Sequence, residues 1–247
     1  MRTKILKLLF IFTILNIFSG CATDDKTADT AEGAFKIAKE FEEAERFEVA
    51  VQKYTDVKNK FPYSSYAPLA ELAIADVQYK RESYAEAQIA YQNFRDLHPK
   101  HPKIDYVIFK TGMSYYMQLP DTIDRDLSLA HDAIYSFKEL INSYPNSEYT
   151  KEAKEKREKA FVMLAEKELY IADFYFKQEK YDSALIRYES AFQKYPGYGL
   201  DPRSLLGAVR SAAQLSDKKK QKQYSQILLT QFGRSEEAKV LKQEGLQ

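Results

Sequence analysis

Small and ring-bearing residues recur at fixed positions among the apolar residues of this chain. An alanine is followed twelve residues later by a proline, and a ring-bearing residue directly precedes that proline. A further aromatic residue stands eight positions before each proline, so the two rings are two helical turns apart on one helix face. The four copies are Ala50, Tyr54, Phe61 and Pro62; Ala87, Tyr91, His98 and Pro99; Ala133, Phe137, Tyr144 and Pro145; and Ala184, Tyr188, Tyr195 and Pro196.

Self-similarity at this spacing predicts stacked helical hairpins. The small residue lets the second helix of each hairpin approach the first closely, and the proline ends that helix. A fifth, weaker copy has Gln221 at the alanine position and Phe232-Gly233 at its end. We therefore predict an all-α, tetratricopeptide (TPR)-type helical solenoid of five helix-hairpin repeats. An ordinary helical bundle with prolines spaced by chance is the alternative.

The distances between repeats predict where the array is irregular. The alanine-to-proline distance is constant, but successive end positions are 37, 46, 51 and 37 residues apart. The additional length must therefore lie in first helices or in turns. From about Ser147 to Gln178 no helix-breaking residue occurs, which predicts a helix of about thirty residues. We divide the chain into repeats one to three (32–145) and repeats four and five (146–247).

The N-terminus has the features of a secretory signal peptide (1–20). Basic residues precede an apolar stretch, Leu8 to Phe18, that is too short for the ~20 residues of a membrane-spanning helix. The following Ser19-Gly20-Cys21 resembles a bacterial lipobox, with Phe18 where leucine is usual. This resemblance implies that Cys21 is lipidated and that residues 21–31 form a flexible tether. Ala22 after the cysteine favours the outer membrane, and a plain cleaved signal is the alternative.

Composition excludes several classes of function. The chain has 37 basic and 36 acidic residues, and without the three basic residues of the first twenty it carries 34 and 36. This balance gives no electrostatic footprint for nucleic acid. The cluster Lys218-Lys219-Lys220 with Lys222 is interpreted as a solvated helix face.

No set of residues predicts catalysis. His98 and His101 form a metal-like pair, but His98 simply fills the ring position before a proline and no further ligand completes a site. Asp124 and Asp126 precede a predicted helix and are better interpreted as caps. We predict a protein without enzymatic activity, metal or cofactor.

An ordered set of segments resembles one family. These segments are KFPYSSY (60–66), HPKHP (98–102), DYV (105–107), Gly112, DRD (124–126), SYPNSEY (143–149) and LAEKE (164–168). Together with the lipobox they closely resemble the BamD family, the TPR lipoproteins of the outer-membrane β-barrel assembly machinery. The insert before Asp124 is shorter than in well-known members.

The resemblance implies a binding function on the periplasmic face of the outer membrane. Repeats one to three would contact unfolded outer-membrane proteins, and repeats four and five the POTRA domains of the BamA-like barrel component. On the family pattern Arg187 contacts a POTRA domain, although an ordinary solvent-facing helix residue is the alternative. A generic periplasmic TPR lipoprotein scaffold, for the cell wall or the Tol system, is the second interpretation. An enzyme of the envelope is the third and lacks supporting residues.

First helices of such solenoids line a concave surface that suits extended peptides. In the substrate-side repeats these helices carry four tyrosines, which offer a large contact area at low entropy cost. We name Tyr66, Tyr79, Tyr106 and Tyr115 the groove tyrosines; which of them face the groove is left open by the sequence.

Overall fold

The computed structural model describes residues 28–246. Within this range the structure has eleven helices and no strand, which confirms the predicted all-α, TPR-type fold. Residues 1–27, with the predicted signal peptide, Cys21 and most of the tether, lie outside it. The helices are α1 (Ala31–Glu43), α2 (Phe47–Lys60), α3 (Tyr66–Lys80), α4 (Tyr84–Leu97), α5 (Ile104–Met117), α6 (Ser128–Ser143), α7 (Thr150–Lys177), α8 (Tyr181–Lys194), α9 (Asp201–Gln214), α10 (Lys218–Gln231) and α11 (Glu236–Gln243).

The chain divides into two compact units, the first ending at Arg81 and the second beginning at Glu82. In the first unit α1 packs on α2 and α2 packs on α3. Helix α1 begins where the Thr30 hydroxyl accepts a hydrogen bond from the Gly33 N–H (3.1 Å). A cluster of buried side chains in this unit is apolar apart from one phenol and consists of Ala38, Ala50, Tyr54, Val57, Ala70 and Val77.

In the second unit each helix from α5 to α10 packs on the helix that follows or precedes it. Two clusters of buried side chains lie in its C-terminal part. One joins α6, α7 and the end of α8 through Leu127, Ala130, Ala160, Leu164, Ala165 and Tyr195. The other joins α7 to α11 and includes Leu169, Ala172, Ala184, Tyr188, Leu205, Leu228 and Leu241.

The repeating positions have the environments that the sequence predicts. All four alanines of the pattern are fully buried, and the aromatic residues four positions later are buried as well. The ring-bearing residue before each proline is the C-cap of its helix. Its N–H donates to the carbonyl four residues earlier, as Phe61 does to Val57 and His98 to Phe94. The helix ends there because the next residue, proline, disfavours α conformation in the residue before it.

The turn inside a hairpin has a regular form in four repeats. Glu45, Glu82, Glu179 and Ser216 all adopt a left-handed backbone, with φ between 55° and 62°. The third repeat instead has a longer connection between α5, which ends at Met117, and α6, which begins at Ser128. The N-cap of α6 is Leu127 and not Asp124 or Asp126 as expected; the Asp126 carboxylate accepts hydrogen bonds from the N–H (3.0 Å) and hydroxyl (2.8 Å) of Ser128, the first residue of the helix.

Helix α7 is 28 residues long, in agreement with the predicted length of about thirty. Ala160, Leu164 and Ala165 belong to the cluster shared with α6, and Leu169 and Ala172 belong to the cluster shared with α8. Helix α11 follows the fifth repeat and was not predicted as a separate element; Ala238 and Leu241 cover the end of the second cluster. None of the helices in residues 28–246 has the length and apolarity needed to cross a membrane.

Candidate functional site

Arg187 lies on α8, three residues after the buried Ala184, at the edge of the contact with α7. Its Nη1 donates to both carboxylate oxygens of Glu168 on α7, at 3.1 and 3.4 Å. The Arg187 side chain is 41% exposed, whereas that of Glu168 is only 16% exposed. Arg187 thus flanks the packed seam, as its sequence position predicts. Its intramolecular partner was not predicted, because the two residues are 19 positions apart and the chain between them includes a turn whose geometry the sequence does not specify.

The Glu168 carboxylate of this ion pair also interacts with the Tyr195 phenol. Burial raises the pKa of the Tyr195 phenol, and the nearby Glu168 carboxylate raises it further. A guanidinium has five N–H donors, and Glu168 engages one nitrogen of Arg187. The arrangement therefore holds the cation at the surface with capacity for a second carboxylate from another protein.

Directly beside Arg187, Tyr188 fixes the position of three helices. Its hydroxyl donates to Asp173 Oδ1 on α7 (2.6 Å), and Asp173 Oδ2 accepts from Arg203 Nη2 on α9 (2.5 Å). Burial first, and then the hydrogen bond to Asp173, raise the pKa of the Tyr188 phenol. The ring lies against Gly207 of α9, where an added Cβ would be 2.5 Å from Tyr188 Cζ. The α8 surface that carries Arg187 is thus held rigidly on α7 and α9.

The groove tyrosines of the first unit are Tyr66 and Tyr79 on α3, and both are half-buried. The Tyr66 ring is 5.6 Å from that of Phe35 on α1. Thirteen residues separate the two tyrosines, which corresponds to about 220° around the helix axis. They consequently lie on different sides of α3.

In the second unit, Tyr106 and Tyr115 on α5 are also half-buried. The Tyr106 ring is 6.3 Å from Tyr91 and 5.5 Å from Tyr149, whereas the Tyr115 hydroxyl accepts a hydrogen bond from Gln92 Nε2 (2.8 Å). Nine residues correspond to about 180° around the axis. Only one tyrosine of each helix can therefore contribute to a single binding surface, and each also takes part in intramolecular packing.

The histidine pair belongs to the packing of the second repeat. The His98 and His101 rings lie 4.8 and 5.0 Å from the ring of buried Phe94. Burial lowers the pKa of His101, and His98 and Lys103 add to this effect. His98 fills the ring position before the proline, as its place in the repeat predicts.

Comparison with known proteins identifies a family. Residues 27–228 match the model of the YfiO family, described as outer membrane lipoprotein. The chain is 28% identical over 207 residues to the outer membrane protein assembly factor BamD of Neisseria meningitidis serogroup A, covering 76% of this chain and 77% of that protein. It is 25% identical over 229 residues to the protein of the same name from Rickettsia prowazekii, covering 92% and 90%.

Among solved structures, the chain is similar to the TPR2AB domain of yeast Sti1 in its complex with pHSP90. The identity is 14% and the TM-score 0.43, over 81% of this chain and 76% of that one. It is also similar to a thermophilic TPR protein of Thermus thermophilus, at 17% identity and a TM-score of 0.39, over 75% and 99% of the two chains.

Proposed function

Because the chain belongs to the YfiO family of outer membrane lipoproteins, we propose that it is a non-catalytic subunit of the machinery that assembles outer-membrane β-barrel proteins. The observation that carries this proposal is the match of the family model over residues 27–228, which includes nearly all of the helical repeats. The relatives' shared name, outer membrane protein assembly factor, supports it. Cys21 anchors the protein by lipid to the periplasmic face of the outer membrane.

Repeats four and five bind the POTRA domains of a BamA-like barrel component, with Arg187 in the contact. The structure supports this through the accessible guanidinium on a rigid hairpin. The forked N–H donors of the Arg187 guanidinium suit a carboxylate of the partner. This carboxylate would bind in addition to that of Glu168. Losing a charged contact that docking buries costs ~2–5 kcal/mol, whereas losing a contact at the rim costs far less.

Repeats one to three bind unfolded outer-membrane proteins, through one groove tyrosine of α3 and one of α5. Half-buried tyrosines that are already packed on one side present the other side of the ring without much further loss of rotamer freedom. The substrate contact is thus assigned to residues 32–145 and the barrel-component contact to residues 146–247.

Co-purification from membranes with the charge-reversed variant Arg187→Glu tests the docking contact. The variant is expected to fold, because the Arg187 side chain is 41% exposed, but with a lowered melting temperature, because the new carboxylate repels that of Glu168. It should recover less of the barrel protein with POTRA domains. A generic TPR scaffold would instead recover no such protein even with the unmodified chain.

Glu168 provides matched controls. Glu168→Gln removes the intramolecular ion pair but keeps the cation, so it should retain the barrel protein. The exchange Arg187→Glu with Glu168→Arg restores an ion pair in the opposite orientation, and it should restore the melting temperature without restoring co-purification. If the exchanged pair recovers the barrel protein fully, Arg187 acts only within the chain and docking takes place elsewhere.

A further inference from the structure

Three large apolar side chains occupy one repeat position on the solvent side of the second helices. Each stands two residues after the buried alanine of its repeat, which is about 200° around the helix axis and thus away from the packed seam. All three belong to the second compact unit. They are Ile89 on α4 (55% exposed), Tyr135 on α6 (70%) and Ile186 on α8 (62%), and we name them the outer row.

Packing within the chain does not explain the outer row. None of its three side chains belongs to the buried clusters of the second unit or to the partly buried residues packed against them. The same position is polar and exposed in the first and fifth repeats, where it holds Gln52 and Gln223. An apolar patch that does not contribute to the core commonly marks a contact with another molecule.

The helices that carry the outer row are held at a fixed spacing. Helices α4 and α6 both pack on α5, and α6 and α8 both pack on α7. Because packed helix axes are about 8–10 Å apart, neighbouring second helices are at most roughly 20 Å apart. An ion pair between Arg95 Nη1 and Glu139 Oε2 (3.1 Å) also joins α4 directly to α6. The outer row is therefore a preformed surface.

The two sides of the outer row differ in charge. Towards the helix N-termini, each of the three helices has an exposed carboxylate within about one turn of the row: Glu86, Asp132 and Asp182. Among residues 28–246, these three carboxylates have no ion-pair partner. On the other side Glu139 is paired with Arg95. Glu189 is paired there with Lys220 (2.8 Å), and Lys138 is exposed. The surface is thus negatively charged along one edge.

We propose that the outer row binds an amphipathic α-helix of another protein, with apolar residues on one face and lysine or arginine along one edge of that face. The apolar residues pack on the outer row. The cations meet the carboxylates of Glu86, Asp132 and Asp182. A helix of about 20 residues is about 30 Å long, which covers most of the row. The proposed function assigns contacts to Arg187 and to the groove tyrosines, so this partner goes beyond it.

This ligand fits the surface better than three other occupants do. An extended peptide gains main-chain hydrogen bonds at a sheet edge, and residues 28–246 contain no strand, whereas a helix satisfies its own backbone. The acidic edge repels the headgroups of anionic lipids. Three side chains supply only part of the ~800 Å² per partner that a stable dimer buries.

Fluorescence anisotropy with three labelled peptides of about 20 residues tests the proposal. The basic peptide is a helix of leucine and lysine with the leucines on one face. The acidic peptide has glutamate in place of lysine, and the scrambled peptide has the basic composition without an apolar face. The unmodified protein in mild detergent, with detergent alone as the blank, should bind the basic peptide roughly tenfold more tightly than the others. Equal affinities, or tighter binding of the acidic peptide, would overturn the proposal.

The variant Ile89→Ala/Tyr135→Ala/Ile186→Ala should raise the Kd for the basic peptide roughly tenfold. Leu97→Ala/Leu215→Ala is the matched control: it removes exposed apolar side chains (66% and 42%) of the same compact unit outside the row and should leave the Kd unchanged. Melting curves of both variants should match that of the unmodified protein, since the residues are exposed. An unchanged Kd for the row variant would refute the site.

The variant Glu86→Gln/Asp132→Asn/Asp182→Asn tests the acidic edge. Binding of the basic peptide to the unmodified protein should weaken as salt is added, because salt screens exposed charges. The neutralised variant should bind more weakly at low salt and depend less on salt. The same salt dependence in both proteins would show that the cations do not meet these carboxylates, and it would contradict the proposal.

Two further measurements test the other occupants. If the unmodified protein self-associates in sedimentation velocity and the row variant does not, the occupant is a second copy and the inference is wrong. Flotation with phosphatidylglycerol vesicles uses the Cys21→Ala protein, which lacks the lipid anchor. If this protein floats and loses the binding when the row is substituted, the row contacts the membrane and the inference is also wrong.

Discussion

Replacing Gly207 by alanine is expected to destabilise the second compact unit, although alanine is the better helix former. The new Cβ would be 2.5 Å from Tyr188 Cζ and 2.6 Å from Cδ1, whereas carbon atoms in contact prefer about 3.5–4.0 Å. The ring would have to move by about 1 Å. It cannot do so freely, because its hydroxyl is held by Asp173, which also accepts from Arg203.

The magnitude follows from three opposing effects. Overpacking costs ~1–3 kcal/mol, and loss of the hydrogen bond to a charged acceptor costs ~1.5–3 kcal/mol. The higher helix propensity of alanine returns ~1 kcal/mol. We expect the free energy of unfolding to fall by roughly 2–4 kcal/mol and the melting temperature by roughly 5–15 °C.

Thermal and denaturant unfolding followed by circular dichroism measure this change. Gly112→Ala is the matched control: there the Cβ would be 2.8 Å from Phe137 Cε1, but that ring has no hydroxyl to hold it, so the loss should be smaller. In a double-mutant cycle with Tyr188→Leu, Gly207→Ala should lower the free energy of unfolding clearly less than it does in the unmodified protein, because the smaller leucine side chain removes the clash. An unchanged or higher melting temperature for Gly207→Ala, or no coupling in the cycle, would refute the reasoning.

Burial and a hydrogen bond to a carboxylate raise the pKa of the Tyr54 and Tyr188 phenols above the usual 10.0. The stability that these two phenols contribute is therefore complete below about pH 10, and it is lost as the pH rises, at ~1.4 kcal/mol per pH unit for each phenol. The melting temperature of Tyr54→Phe/Tyr188→Phe should fall less steeply with alkaline pH than that of the unmodified protein. An equal slope of melting temperature against pH would contradict this. Cys21→Ala should release the protein from membranes into the soluble periplasmic fraction, and full retention after washing would show that the anchor is not lipid. Photo-crosslinkers at the groove tyrosines should capture unfolded barrel proteins from one position on α3 and one on α5. A second set of crosslinkers is placed in residues 146–247, and capture by that set alone would reverse the assignment of the two sides.

Fixed repeat positions were the most predictable part of the fold. The burial of Ala50 and of Tyr91 follows from local geometry alone. Two helices that cross closely require a small residue at the crossing, and the gap beside the crossing requires a large residue to fill it. The length of α7 was predictable because no proline or glycine interrupts it. Helix α11 was not, since nothing in its sequence repeats the pattern of the hairpins.

The site was less predictable than the fold, because it depends on side chains that are distant in sequence. Arg187 was placed correctly beside the seam, but its partner Glu168 is determined by how α8 returns along α7. The two groove tyrosines of α3 lie on different sides of that helix, and so do the two of α5, because of their angular separation around the helix axis.

Helix α7 belongs to two cores at once, and this has a consequence for how the protein unfolds. Its middle is fixed by the cluster shared with α6, and the part that follows by the cluster shared with α8. Extending an existing helix is favourable, whereas starting a new one is not. If one of the two clusters melts, the part of α7 that it holds unwinds, and this unwinding shortens the helix on which the other cluster depends. The repeats on either side of α7 should therefore exchange their amide hydrogens as one cooperative block, although nearest-neighbour repeat arrays usually lose their terminal units one by one.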